Sequence, residues 1–142
     1  MQTNKMKLSF LSYSKNESFA RSVAACFVLE LNPSVSQIDD IKTAVSEAVT
    51  NSIVHGYPDG VGEIVLEAEH DGETLHINVF DEGVGIDNVE EAQEPFYTTK
   101  PDEERSGMGF TIMKSFMDEV RVVSKKGGGT KIYMSKSLKA DA

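Results

Sequence analysis

Residues 38–57 read IDDIKTAVSEAVTNSIVHGY. Ile41, Val45, Val49 and Ile53 recur every four residues, which is the spacing of one helix face. The segment is therefore expected to be a helix from about Ile38 to Val54, stopped at Gly56. At about 100° per residue, Glu47, Asn51 and His55 line the side opposite Val45, Val49 and Ile53. A purely solvated face would favour Lys and Arg, yet this polar stripe is read as carrying the small residues Ala44 and Ala48. It ends in His55-Gly56-Tyr57, a turn rather than a plain cap. Such a helix needs a partner layer for its apolar side and leaves a row of functional groups on the other.

Strand patterns flank this helix. Upstream, Met6, Leu8 and Phe10 alternate with Lys7 and Ser9. Ser14-x-x-Glu17 reads as a capping box opening a helix whose inward face is Phe19, Val23, Cys26 and Phe27. Asn32-Pro33 ends that helix, and Ser36-x-x-Asp39 reads as the next N-cap signal. Downstream, Ile64, Leu66 and Ala68 alternate, Asp71-Gly72 supplies a turn, and Leu75, Ile77 and Val79 alternate again. Residues from about Asp87 to Ser106 carry many charges and two prolines, with one short helical pattern near Val89–Ala92. A polar loop of that length inside a compact domain points to a functional lid. A helix starts near Gly109 with Ile112, Met113, Phe116 and Met117 inward. A last hairpin runs Val120–Ser124, a Gly127-Gly128-Gly129 turn, and Thr130–Ser135. The order β-α-α-β-β-lid-α-β-β predicts an α/β sandwich: a mixed, mostly antiparallel sheet covered on one face by about three helices.

The chain has 142 residues, one domain's worth. Its formal charge of −9 argues against broad contact with nucleic acid or anionic lipid. The single cysteine, Cys26, excludes an internal disulfide and a thiolate metal cage and reads as a small core residue. No apolar run reaches membrane-spanning length and the N-terminus lacks a signal-peptide core, so a soluble cytoplasmic protein is expected.

Three glycine-bearing segments could carry chemistry. Asp81-Glu82-Gly83-Val84-Gly85-Ile86 follows a strand. A carboxylate there accepts hydrogen bonds only, so it suits the exocyclic amino group of adenine and repels guanine's carbonyl. The glycines allow backbone to approach a planar ring. Arg105-Ser106-Gly107-Met108-Gly109-Phe110 opens a helix, and free amides at a glycine-rich helix N-terminus form an anion site. It is not a Walker P-loop. Lys100 and Arg105 add the local positive charge that a phosphate would need. Gly129-Thr130 sits in the last hairpin.

In conjunction these segments resemble the GHKL family of ATP-binding domains, which includes gyrase, Hsp90, histidine kinases and mismatch-repair ATPases. Glu47-Ala48-Val49-Thr50-Asn51 resembles the N box, Asp81-Glu82-Gly83-Val84-Gly85 the G1 box, and Gly107-Met108-Gly109-Phe110 the G2 box. Gly129-Thr130 resembles the terminal Gly-Thr, so the likeness spans nearly the whole chain. Glu47-x-x-x-Asn51-x-x-x-His55-Gly56-Tyr57, together with Pro95–Pro101 and Arg105–Met113, is similar to the anti-sigma-factor serine-protein kinases of Gram-positive endospore formers.

The resemblance implies a Bergerat-type fold forming a single domain over residues 1–142, with an ATP lid at about 87–108. It implies ATP and Mg²⁺ as cofactors, with Asn51 holding the metal and Glu47 as general base toward a substrate serine. Arg105 would neutralise charge at the γ-phosphate. Asp81, Gly83, Gly85 and Thr130 would form the base pocket. Lys100, Ser106, Gly107, Met108, Gly109 and Phe110 would surround the phosphates, and His55 would lie near the nucleotide or make a structural hydrogen bond. The implied partners are an RNA polymerase sigma factor of sigma-F type, which is inhibited, and an anti-anti-sigma protein, which is phosphorylated. A homodimer is implied too, with no direct nucleic-acid or membrane contact. Arg21, about 200° round the first helix from Phe19, should be exposed, either as a partner contact or as an ordinary solvated arginine.

Other classes remain open. A histidine-kinase ATP-binding domain usually has Asn where Glu47 stands. An ATP-sensing module without turnover would need no base. A stand-alone ATPase using water usually takes a phosphate-contacting lysine from a second domain.

Overall fold

The computed structural model describes residues 2–93 and 109–139. Its elements are β1 (Asn4–Leu11), α1 (Lys15–Val28), α2 (Val35–Asn51), β2 (Glu63–His70), β3 (Thr74–Asp81), α3 (Val89–Ala92), α4 (Gly109–Phe116), β4 (Glu119–Ser124) and β5 (Thr130–Ser137). A 3₁₀ turn at Leu29–Leu31 follows α1, and a π-helical turn at Ser52–Gly56 follows α2. The five strands form one sheet in the order β1-β2-β3-β5-β4.

Every neighbouring pair is antiparallel, so among the described residues the sheet has no parallel component, where a mixed sheet was expected. The connections explain this. Two successive helices return the chain to the end where β1 finished, which places Glu63 beside Leu11 and makes β2 antiparallel. The chain passes β3 and α4 before β4, and β5 then folds back between β3 and β4. One end of the sheet, here called the upper end, thus collects Leu11, Glu63, Asp81, Ser124 and Thr130.

The core lies on one sheet face. Ile64, Leu66, Leu75, Ile77, Val79, Ile132 and Met134 meet Ile41, Val45, Val49 and Met113 from the helices. Fully burying each such side chain contributes roughly 1.5–3 kcal/mol. Alternate residues face the other way, so the side-chain period of two separates core from open face.

Three local expectations are corrected. Ala44 and Ala48 are fully buried and belong to the core, not to the polar stripe. On α1 the buried set is Ala20, Ala24 and Val28, while Phe19 is 52% exposed and Cys26 is also exposed. Helix α1 packs mainly on α2 rather than on the sheet. Small side chains at a helix–helix contact let the two helices approach closely. Only Phe27 of the expected face still packs against the core, with its ring 5.5 Å from that of buried His70. Met113 and Met117 are buried as expected.

The caps also moved. Ser14 has helical backbone angles and makes no side-chain cap. Glu17 instead accepts from the Ser46 hydroxyl on α2 and pairs with Arg21 at 3.8 Å. The box that forms is Ser34-x-x-Gln37, two residues before the expected Ser36. The Gln37 amide donates to Ser34 Oγ at 3.1 Å, and the Ser34 amide donates to Gln37 Oε1 at 2.9 Å. Ser34 has the extended backbone an N-cap needs. Ser34→Ala should therefore cost about 1 kcal/mol, or about 3 °C in thermal midpoint, and Ser36→Ala almost nothing. Equal melting shifts for the two variants would refute the assignment.

Candidate functional site

The upper end of the sheet holds a compact polar cluster built from three chain segments. Asp81, the last residue of β3, is only 5% exposed although it bears a carboxyl group. Its Oδ2 accepts the Ser52 hydroxyl at 2.7 Å and its Oδ1 accepts the Gly83 amide at 3.0 Å. Thr130 lies directly opposite Asp81 on β5. Burial pushes the Asp81 carboxyl above the ordinary carboxylate range, and the donors around it, Ser52 first, partly offset that rise.

The loop after Asp81 is clamped from both sides. The Val84 amide donates to the Gly56 carbonyl at 2.9 Å, and the Gly129 amide donates to the Gly83 carbonyl at 3.2 Å. A side chain at Gly83 would place its Cβ 2.0 Å from that Gly56 carbonyl oxygen. Gly85 has φ +76°, and a Cβ there would lie 1.8 Å from the Lys125 carbonyl oxygen. Both glycines are thus demanded by backbone packing within the site. The Tyr57 hydroxyl donates to the Glu63 carbonyl and accepts from the Glu82 amide, each at 2.7 Å. Burial raises the Tyr57 pKa, and the bond from Glu82 works against that. Ser124 Oγ joins the Ile86 amide, the Gly129 carbonyl and the Thr130 hydroxyl, all at 2.8 Å.

The π-helical turn is what aims α2 at this cluster. The Tyr57 amide reaches back five residues to the Ser52 carbonyl at 3.1 Å. Such wide turns inside α-helices are frequent at functional sites. Glu47, Asn51 and His55 are half-buried on successive turns of the segment that delivers Ser52, Gly56 and Tyr57. Asp81, Gly83, Gly85 and Thr130 thus come together as expected. Gly109 and Phe110 start α4, which packs on α2, and the Phe110 ring is buried in the core. Lys100, Arg105, Ser106, Gly107 and Met108 lie outside the described residues, as does the lid beyond residue 93. Arg21 is half-exposed beside Glu17. An open groove lined by His76, Lys114, Asp118, Arg121 and Tyr133 shares no residue with this cluster.

Ser52 and Ser124 carry part of the geometry and were not singled out from the sequence, whereas Tyr57 was read only as part of the turn His55-Gly56-Tyr57 and not for its hydroxyl. Ser52 had a legible signal. It continues the buried small stripe Ala44-Ala48-Ser52-Gly56 at four-residue spacing. Ser124 had none, because its bond to the Ile86 amide spans 38 residues.

An antiparallel sheet with helices on one face, and a buried Asp and glycine loop at its upper end facing the end of the second helix, define an ATP-binding sandwich of the GHKL class. The chain belongs to the histidine kinase-like ATPase domain family, whose model matches residues 14–136, and within it to the family of the anti-sigma F factors. It is 57% identical over 138 residues to the anti-sigma F factor of Clostridium acetobutylicum, covering 97% of this chain and 96% of that one. It is 53% identical to that of Clostridium beijerinckii, covering 97% of each chain. It is 52% identical to that of Thermoanaerobacter sp., covering 98% and 97%. The crystal structure of the RsbU and RsbW domains of Rv1364c from Mycobacterium tuberculosis superposes with a TM-score of 0.70 at 21% identity. That match covers 98% of this chain and 34% of the longer one, and it establishes the fold alone. An ATPase domain implies ATP as ligand. Among the described residues, no helix is long and apolar enough to cross a membrane.

Proposed function

We propose that this single domain is a cytoplasmic anti-sigma factor and protein serine kinase of sporulation. It would bind a sigma factor of sigma-F type and phosphorylate a serine of an anti-anti-sigma protein with Mg-ATP. The observation that carries the reading is the placement of Glu47 and Asn51 on the helix that delivers Ser52 to Asp81. In this reading a general base, a metal ligand and a base-recognising carboxylate face one end of the sheet. The relatives' names support the sigma-factor half of the reading.

In this reading Asp81 accepts the adenine amino group, with Gly83, Gly85 and Thr130 completing the pocket. The Asn51 amide oxygen is a hard donor of the kind that suits Mg²⁺, which takes few protein ligands when phosphates supply the rest. Bound there, the ion would neutralise phosphate charge. Glu47 takes the proton of the incoming serine hydroxyl, and His55 stands near the nucleotide. Lys100, Arg105, Ser106, Gly107, Met108, Gly109 and Phe110 surround the phosphates, and residues 87–108 act as the lid. Arg21 contacts a protein partner. Exposed Leu11 and Val123 share the sheet's open face with Val65, Phe80 and Tyr133, which favours a homodimer through that face.

The test is incubation with labelled ATP, Mg²⁺ and a candidate anti-anti-sigma protein. Phosphoserine on that partner is expected, with little label on the enzyme. Phosphohistidine on the enzyme would point to the histidine-kinase class. Hydrolysis with no acceptor would point to an ATPase, and binding without turnover to a sensing module.

A further inference from the structure

We infer that Ser52 is a positioning residue that sets the preference of the base pocket for a 6-aminopurine, by donating its buried hydroxyl to Oδ2 of Asp81 and fixing the plane of that carboxylate. The inference rests on the proposed contact between Asp81 and the base, and goes beyond it by assigning what makes that contact selective.

The final torsion of an aspartate has a broad, two-fold preference, so the side chain does not orient its own carboxylate. Its neighbours must do so. Gly83 contributes a backbone amide to Oδ1, while Ser52 contributes a side-chain hydroxyl to Oδ2 at 2.7 Å. Ser52 is 1% exposed, so bulk water cannot stand in for that hydroxyl. Four residues further on, the position a Cβ would take on Gly56 is 3.0 Å from Asp81 Cγ and 3.0 Å from Oδ2. The carboxylate is therefore held between a donor at residue 52 and a glycine at residue 56, both buried and both on the π-helical turn.

The consequence is chemical. A hydroxyl donating to Oδ2 favours the ionised carboxylate, which can only accept. An acceptor of fixed direction rewards a base with an amino group at position 6 and penalises one with a carbonyl. Without the Ser52 hydroxyl, Oδ2 has lost its side-chain donor in a buried site. The carboxylate can then rotate or take up a proton, and a protonated oxygen offers the base a donor instead.

The test uses the full chain and two nucleotides, ATP and the triphosphate of purine riboside, which lacks the 6-amino group. For the wild type, calorimetric titration should show ATP bound about ten- to a hundredfold tighter than the analogue, the range expected for a hydrogen bond to a charged partner. In Ser52→Ala that ratio should collapse toward unity, through weaker ATP binding with the analogue little changed. Ser52→Thr, which keeps the hydroxyl, should restore the ratio. If Ser52→Ala does not fold, Ser52→Cys, a weak donor of similar size, carries the same comparison. Equal weakening of both nucleotides with the ratio preserved would make Ser52 a merely structural hydroxyl and overturn the inference. Asp81→Asn separates the two levels of the argument. If it keeps the wild-type ratio, the base contact itself is wrong and the role of Ser52 falls with it.

Discussion

Glu47→Gln is expected to lower phosphate transfer to a protein serine by about 10²–10⁴-fold, the usual contribution of a general base. ATP affinity should stay close to that of the wild type. The physical basis is that glutamine keeps the size and most of the hydrogen bonding of glutamate but cannot take a proton. Glu47 is half-buried one turn before Asn51, on the helix whose next residues enter the Asp81 cluster. Glutamine fills the same volume, so the base pocket should survive the neutralisation. Single-turnover transfer from labelled ATP, paired with calorimetric binding, separates the two effects. Loss of nucleotide binding would make Glu47 structural, and unchanged transfer would remove it from the chemistry.

Asp81→Asn should weaken ATP binding by about ten- to a hundredfold, the range set by losing a hydrogen bond to a charged acceptor. The amide nitrogen would present a donor where the base also presents one. It would also compete with the donors now aimed at the carboxylate, namely the Ser52 hydroxyl and the Gly83 amide. Unfolding should become easier as well, since a buried donor left without a partner costs about 1–3 kcal/mol. Acidification should mimic the substitution reversibly. Burial holds the Asp81 pKa above the ordinary carboxylate range, so protonation begins at a higher pH than for an exposed aspartate. ATP affinity should fall as pH drops through that raised value, whereas the variant's affinity should not follow the same curve. Wild-type affinity in Asp81→Asn would rule out Asp81 as the base contact.

Much of this arrangement was legible from residue order. Periodicity located α2 and both hairpins to within a few residues. Asp71-Gly72 behaved as expected, with Asp71 Oδ1 accepting the Glu73 and Thr74 amides and Gly72 at φ +99°. The errors share one cause. Counting large apolar residues chose Phe19 and Cys26 over Ala20 and Ala24 on α1, because periodicity does not know whether a helix faces a sheet or another helix. Matching Ser-x-x-acid patterns chose Ser14 and Ser36, although a cap depends on the backbone conformation of the capping residue, which Ser34 has and Ser14 does not.

The amino-acid sequence by itself determined the elements, the order in which they follow one another, and the residue types from which a nucleotide site could be made. These depend on interactions between near neighbours, whose spacing is written in the chain. The tertiary structure alone decided that all five strands run antiparallel, that alanines seat α1 on α2, and that Ser52, Tyr57 and Ser124 hold the Asp81 loop in place. Ser52 and Asp81 are 29 residues apart, and Ser124 is 38 from Ile86. Their hydrogen bonds exist only because two helices and a sheet bring those segments to one edge, where burial makes each donor and acceptor depend on the other.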